Sequence, residues 1–169
     1  MANVSRQMSI LALLSLGQTF AILSGGIDLS VGSLLALVSV VCAQQMKAYG
    51  LAAGMTAGIL AGGLAGLVNG LIIAKARVPA FIATLGMLVA ARGVALTLSG
   101  GLPIAGLPRE FLVLGAGYIG PFPIPTVLAV AAFVLAHGIL SRTRFGRYVL
   151  RDGEQRGSRR AVRHQRREL

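Results

Sequence analysis

The sequence contains few of the residues that build catalytic or metal-binding sites. Its 169 residues include one cysteine, two histidines, no tryptophan and five acidic residues. The single cysteine, Cys42, excludes an intramolecular disulfide and a metal site built from several cysteines. The chain also lacks a Walker loop, a dinucleotide-binding fingerprint, a histidine-rich metal spacing and a nucleophile elbow. We therefore expect a protein that is not an enzyme, with no catalytic residues, no metal and no cofactor.

Charged residues are also scarce, except near the C-terminus. Ten of the sixteen lysines and arginines lie from Arg142 onward, whereas the chain up to Ser141 carries six basic residues and two acidic ones. Hydrophobic residues make up 55% of the sequence, which is typical of a membrane protein. The net charge of +11 therefore describes mainly a tail.

Long hydrophobic runs are what the sequence has in abundance. A membrane-spanning helix needs about 20 residues, so the third and fifth runs are comfortable spans, the fourth is adequate and the first two are short. The sequence predicts an all-α polytopic membrane protein with about five hydrophobic segments. These segments are Ile10–Leu23, Val31–Met46, Leu51–Ala74, Phe81–Leu98 and Pro121–Leu140.

The stretch Ser24–Ser33, S-G-G-I-D-L-S-V-G-S, separates the first two segments and contains an isolated carboxylate. Gly25 and Gly26 favour a sharp reversal of the chain. We expect Asp28 to cap a helix that starts near Leu29, or Ser30 to cap it instead. The glycine and serine that follow, Gly32 and Ser33, would keep the next turn slim. The alternative is that Asp28 marks a gate or a solute path, because ionisable groups are costly within a membrane.

The third segment carries a glycine at every fourth position. Such a small-residue row winds around a helix as an inclined groove, in which a second helix can approach backbone to backbone. We expect these glycines to pack helices rather than to line a pore. They are Gly50, Gly54, Gly58, Gly62, Gly66 and Gly70.

Basic residues in short loops predict the orientation in the membrane. Lys75 and Arg77 follow the third segment and an arginine cluster follows the fifth, so both ends should be cytoplasmic. The loop 100–120 then faces outside, and so does the N-terminus. Arg6 opposes translocation of the N-terminus and the basic cytoplasmic loops favour it, so we expect mixed insertion in which the first two short segments fail to cross in part of the population. Arg92 lies within the fourth segment and either snorkels to the outer interface or belongs to a pathway.

Four blocks of sequence occur in an order that resembles the permease subunit of bacterial ribose-type sugar ABC importers. They are I-L-S-G-G-I-D-L-S-V-G-S, V-N-G-L-I-I-A-K-A-R-V-P-A-F-I-A-T-L-G-M-L, A-R-G-V-A-L-T-L-S-G-G-L-P-I and T-R-F-G-R-Y. The resemblance implies a helical permease of the inner membrane. It also implies a second permease subunit, a cytoplasmic ATP-binding subunit and a periplasmic sugar-binding protein as partners, within membrane lipid and without nucleic acid.

The same resemblance assigns roles to individual residues. It makes Gly25 to Gly32 the signature turn of the family, and Asn69 and Pro79 to Gly86 would flank and open membrane helices. Asn69 is, like Arg92, a candidate for a pathway. It also directs a C-terminal segment towards the ATP-binding subunit. That segment comprises Thr143, Arg144, Phe145, Gly146 and Arg147.

Two features depart from the family pattern. Members are roughly twice as long, and after Leu150 this chain becomes arginine-rich where the family continues with a moderately polar segment. We therefore expect a partial permease domain at residues 1–150 and a disordered, out-of-frame basic tail at residues 151–169. Two alternatives remain: the tail is a true basic arm for anionic lipid or nucleic acid, or the chain is a small homo-oligomeric channel or scaffold held by its glycines.

Overall fold

The computed structural model describes residues 2–144 and 146–149. Six α-helices and one two-stranded antiparallel hairpin lie within residues 2–142. The hairpin pairs β1 (Tyr118–Ile119) with β2 (Phe122–Pro123). The helices are α1 (Ala2–Leu23), α2 (Val31–Tyr49), α3 (Leu51–Ala74), α4 (Ala80–Ser99), α5 (Arg109–Ala116) and α6 (Ile124–Arg142).

Five of these helices are long and apolar enough to cross a membrane, which confirms the predicted fold class. The third segment was predicted with the bounds of α3, and the fourth to within one residue at each end. The fifth starts later than predicted, because the hairpin occupies Tyr118–Pro123.

The prediction that the first two segments are short is wrong. Helix α1 extends over 22 residues and α2 over 19. The segments predicted from hydropathy ended at polar stretches that contain Arg6 and Lys47. Arginine, glutamine and lysine are good helix formers, so the backbone hydrogen bonds of the helices continue through these residues. Both helices therefore approach the length that a bilayer requires.

The chain divides into two compact units. One comprises the residues up to Ile27 together with those from Pro125, and it contains α1 and α6. A cluster of hydroxyl groups joins these two helices: Thr126 Oγ1 lies 2.9 Å from both Ser5 Oγ and Ser9 Oγ. Ser9 is buried there, so its polar group is satisfied away from lipid.

The other unit comprises Asp28–Ile124, and in it α2 packs against α3 and α4. Its buried apolar residues are mostly small, including Ala83, Ala91 and Ala95 on α4. Met46 of α2 is the largest buried apolar side chain. Small residues let membrane helices approach closely, while most of the large apolar side chains remain on the outer surface, as expected for a chain in lipid.

Candidate functional site: a buried polar cluster at a helix break

Helix α1 ends in a tight glycine turn that satisfies its last carbonyls. Gly25 adopts a left-handed conformation with φ of 75°. The Gly26 amide donates to the Ala21 carbonyl at 3.0 Å and the Gly25 amide donates to Ile22 at 2.9 Å, which is the Schellman pattern. The reversal predicted from the two glycines therefore has a defined hydrogen-bonded form. The same arrangement ends α4, where Gly100 has φ of 62° and the Gly101 amide donates to Leu96 at 3.0 Å.

The carboxylate of Asp28 binds Ser30, the residue at the N-cap position of α2. Asp28 Oδ1 accepts hydrogen bonds from the Ser30 amide at 2.8 Å and from the Ser30 hydroxyl at 2.6 Å. Helix α2 begins at Val31, with Ser30 at its N-cap position and no side-chain capping bond. Ser30 already has helical dihedrals and its carbonyl accepts from the Leu34 amide at 2.8 Å, so Asp28 accepts an amide at the start of the helix, as expected. The expectation that Ser30 caps the helix instead is wrong. The Ser30 hydroxyl is engaged elsewhere, because it donates to Asp28.

Asn69 of α3 connects to the same serine. Its side-chain amide Nδ2 donates to Ser30 Oγ at 3.2 Å, across 39 residues of sequence. Since the Ser30 proton points to Asp28, Ser30 Oγ can only accept from Asn69, and this fixes which way the amide is turned. The three side chains form one directed chain of hydrogen bonds from Asn69 through Ser30 to Asp28.

Two side chains of this cluster are buried, whereas Asp28 is half-buried. Ser30 is 0% exposed and Asn69 is 6% exposed. The Asn69 Oδ1 atom is buried without a hydrogen-bond partner among the described residues. Ser33 is satisfied locally by donating to the Ser30 carbonyl at 2.8 Å. A buried amide oxygen without a partner is uncommon and destabilising.

The cluster offers acceptors and a negative charge, which suit a ligand that brings hydrogen-bond donors. Asn69 lies six residues before Lys75, or about 9 Å along the axis, so the cluster lies within the span near its basic end. Among the described residues no three histidine, cysteine, aspartate or glutamate side chains are grouped closely enough to hold a metal ion.

The glycines of α3 divide into two groups. Gly54 and Gly58 are buried against α2, and a methyl group built on Gly54 would lie 2.5 Å from the Met46 Cβ atom. On Gly58 the nearest atom would be Cys42 Cβ at 3.1 Å, and on Gly62 it would be Val38 Cγ2 at 3.2 Å.

The other predicted glycines have no neighbour within 4 Å of an added methyl group. Gly66 and Gly70 face open space, and Gly50 lies before α3 as its N-cap with φ of 90°. Gly32, which we expected to allow close packing, also faces open space. A packing role for the whole row stays a prediction.

The remaining candidates lie apart from the cluster in sequence. Arg92 is exposed on α4, about 18 Å along the axis from its first residue. Thr143 follows α6, where its hydroxyl donates to the Ile139 carbonyl at 2.6 Å and accepts from the Gly146 amide at 3.2 Å. Arg144 and Arg147 are exposed. Phe145 and the predicted basic tail lie outside the described residues.

Three polar contacts were not predicted from the sequence. They are the Ser5–Ser9–Thr126 cluster, the bond from the buried Thr84 hydroxyl to the Ala80 carbonyl at 2.9 Å, and the bond from the Gln44 side chain to the Leu98 carbonyl at 2.5 Å. Ser5 and Ser9 are four residues apart and so share one face of α1, which was a usable signal. The partner of Gln44 had no such signal, because it is a backbone carbonyl 54 residues away.

Comparison with known proteins gives a consistent result. The family model described as branched-chain amino acid transport system / permease component matches residues 1–162. Over 148 residues the chain is 43% identical to the ribose import permease protein RbsC of Bacillus subtilis (strain 168), covering 86% of this chain and 46% of that protein.

Two further relatives extend the comparison. The chain is 40% identical over 153 residues to RbsC of Escherichia coli (strain K12), covering 87% of this chain and 47% of that protein. It is 37% identical over 149 residues to the autoinducer 2 import system permease protein LsrC of Yersinia pestis (strain Pestoides F), covering 86% of this chain and 42% of that protein. The chain thus spans less than half the length of these relatives. No solved structure matches it.

Proposed function

The chain belongs to the family described as branched-chain amino acid transport system / permease component and is a multi-pass protein of the inner membrane, and on that premise we propose that it is the membrane-spanning permease component of an ATP-driven importer of a ribose-like sugar. The observation that supports this most directly is the 40–43% identity to ribose import permeases over most of this chain.

The partners follow from this function. The chain would act with a second permease subunit, a cytoplasmic ATP-binding subunit and a periplasmic sugar-binding protein, and it would not itself hydrolyse ATP. Arg144 and Arg147 extend as exposed cations from the end of α6. This position is suited to contact with the cytoplasmic ATP-binding subunit.

The polar cluster is the feature of this chain that best suits contact with a solute. Asp28, Ser30 and Asn69 hold the start of α2 against α3 through side-chain hydrogen bonds. Its negative charge and spare acceptor suit a neutral solute rich in hydroxyl groups better than an anion. We assign to the cluster the role of keeping the break in place along the solute path.

A chimaeric permease tests this proposal. Replacing the matching 148 residues of Bacillus subtilis RbsC with those of this chain should preserve ATP-dependent ribose uptake in cells that lack the native permease. The same chimaera carrying Gly54→Leu, which forces α2 and α3 apart, is the inactive control. Loss of uptake in a chimaera that is inserted and stable would contradict the proposal.

A channel is the competing function, and the full chain alone tests it. In liposomes loaded with labelled ribose, a permease component should release no sugar without its ATP-binding and sugar-binding partners. Release from liposomes that hold only this chain would identify a channel. The open space beside Gly66 and Gly70, where a second copy could pack, makes this measurement necessary.

A further inference from the structure

An apolar cavity of about 450 Å³ lies between α2 and the segment that follows α4. Val38, Cys42 and Ala43 of α2 form one wall, and Pro103, Leu107 and Phe111 contribute to the other. Its size falls within the range of small-ligand sites, which span about 300–1,000 Å³.

The polar groups in this cavity are already used. The Ser39 hydroxyl donates to the Leu35 carbonyl at 2.7 Å, and the Ser99 hydroxyl donates to the Leu96 carbonyl at 3.3 Å while accepting from the Gly101 amide at 3.2 Å. A sugar would lose hydrogen bonds to water here and gain few in return. The cavity therefore suits an apolar group, such as a hydrocarbon chain.

A second groove adjoins the cavity and carries a positive charge. Pro103 and Ile104 line both, and Gln44 and Lys47 complete the groove. Lys47 is exposed and lies four residues beyond Ala43, about 6 Å further along α2. The exposed Tyr49 at the end of α2 is the kind of aromatic residue that marks the interface between membrane and water.

We propose that the cavity and groove together bind one anionic phospholipid, with its phosphate at Lys47 and an acyl chain in the cavity. The order of the two surfaces along α2 matches the order of the two parts of a lipid: the cation at the interface and the apolar space deeper in the span. The ammonium group of Lys47 supplies the charge that a phosphate requires. Gln44 is half-buried and one of its two amide hydrogens bonds to the Leu98 carbonyl, which leaves the other as a donor. This inference does not depend on the proposed transport function.

Native mass spectrometry of the purified full chain tests the proposal. With equal amounts of phosphatidylglycerol and phosphatidylcholine present, the chain should retain phosphatidylglycerol about fivefold more strongly, the preference expected for one basic residue at a lipid headgroup. Lys47→Gln should abolish the preference, whereas Lys75→Gln, which removes an exposed lysine at the opposite end of the spans, should leave it. Equal retention of both lipids by the unmodified chain, or a preserved preference in Lys47→Gln, would overturn the proposal.

The occupancy of the cavity has its own readout, because the lone cysteine lines it. A small thiol reagent should label Cys42 in the delipidated chain, and added phosphatidylglycerol should slow that labelling. Ala43→Leu, which narrows the cavity, should weaken retention of both lipids, whereas Ala90→Leu on the exposed face of α4 should not. If added phosphatidylglycerol does not change the rate of Cys42 labelling, the acyl chain does not occupy the cavity and the proposed site is refuted. This result holds even if Ala43→Leu fails to fold.

Discussion

Asp28 offers a test of whether the cluster needs a carboxylate or only an acceptor. Asp28→Leu removes both bonds to Ser30 and leaves a fully buried hydroxyl without its acceptor, so it should lower the free energy of unfolding by about 1–3 kcal/mol. Asp28→Asn retains a side-chain oxygen and should recover most of this loss. Unfolding in detergent measures both. An asparagine variant as unstable as the leucine variant would show that the negative charge itself is required.

The bond between Asn69 and Ser30 is testable by a double-mutant cycle. Asn69→Ala and Ser30→Ala should each destabilise the chain, and together they should cost less than their sum by about 0.5–1.5 kcal/mol, since both remove the same interaction. Unfolding of the two single variants and the double variant gives the coupling. Strict additivity would contradict the directed chain of hydrogen bonds.

The sequence predicted the members of this cluster more readily than their connections. Asp28 and Ser30 are two residues apart, and a short polar side chain commonly bonds to backbone two residues on. Composition therefore indicated a turn with a carboxylate, although it misplaced the helix start. The hydrogen bond from Asn69 depends on how α3 packs on α2. No local sequence pattern predicts which residue of α3 lies opposite Ser30.

At the scale of elements, α3 provides matched positions for testing the glycine row. Gly54→Ala would place a methyl group 2.5 Å from Met46 Cβ and 2.7 Å from the Cys42 carbonyl oxygen, so it should destabilise the chain by roughly 1–3 kcal/mol. Gly66→Ala in the same helix meets nothing and should be neutral, or stabilising by up to about 1 kcal/mol. Equal losses at both positions would show that Gly66 packs against another helix in the membrane.

The spacing of the glycines predicted close approach but not its extent. A row at every fourth residue winds around the helix, so a straight neighbour meets only part of it. Helix α2 lies against Gly54, Gly58 and Gly62 but does not contact Gly66 or Gly70. Hydropathy predicted the helix boundaries well where glycine, proline or charged residues flank both ends, as in α3. It predicted them poorly where polar residues that favour helices lengthen the helix, as in α1 and α2.

For the whole molecule, the surface carries the clearest sign of a membrane protein. Large apolar side chains cover the outside, from Met8 on α1 to Leu135 on α6, whereas the buried positions are mostly small or polar. That distribution is the opposite of a water-soluble core and follows from lipid as the solvent. Hydropathy can therefore predict the class of fold, while the polar contacts that organise the interior require the packed helices.

Topology can be tested with single cysteines at positions 3, 76 and 105, each in the full chain with Cys42→Ala. Helix α1 is 22 residues long, or about 33 Å, so its length suffices to cross a bilayer and only Arg6 opposes its insertion. With Lys75 and Arg77 held in the cytoplasm, an impermeant maleimide added to intact cells should label positions 3 and 105 uniformly and position 76 only after permeabilisation.

Protection of position 3 alone would show that α1 or α2 fails to cross, because each crossing reverses the side on which the N-terminus lies. Labelling of position 76 in intact cells, with protection of position 105, would reverse the orientation of the entire chain.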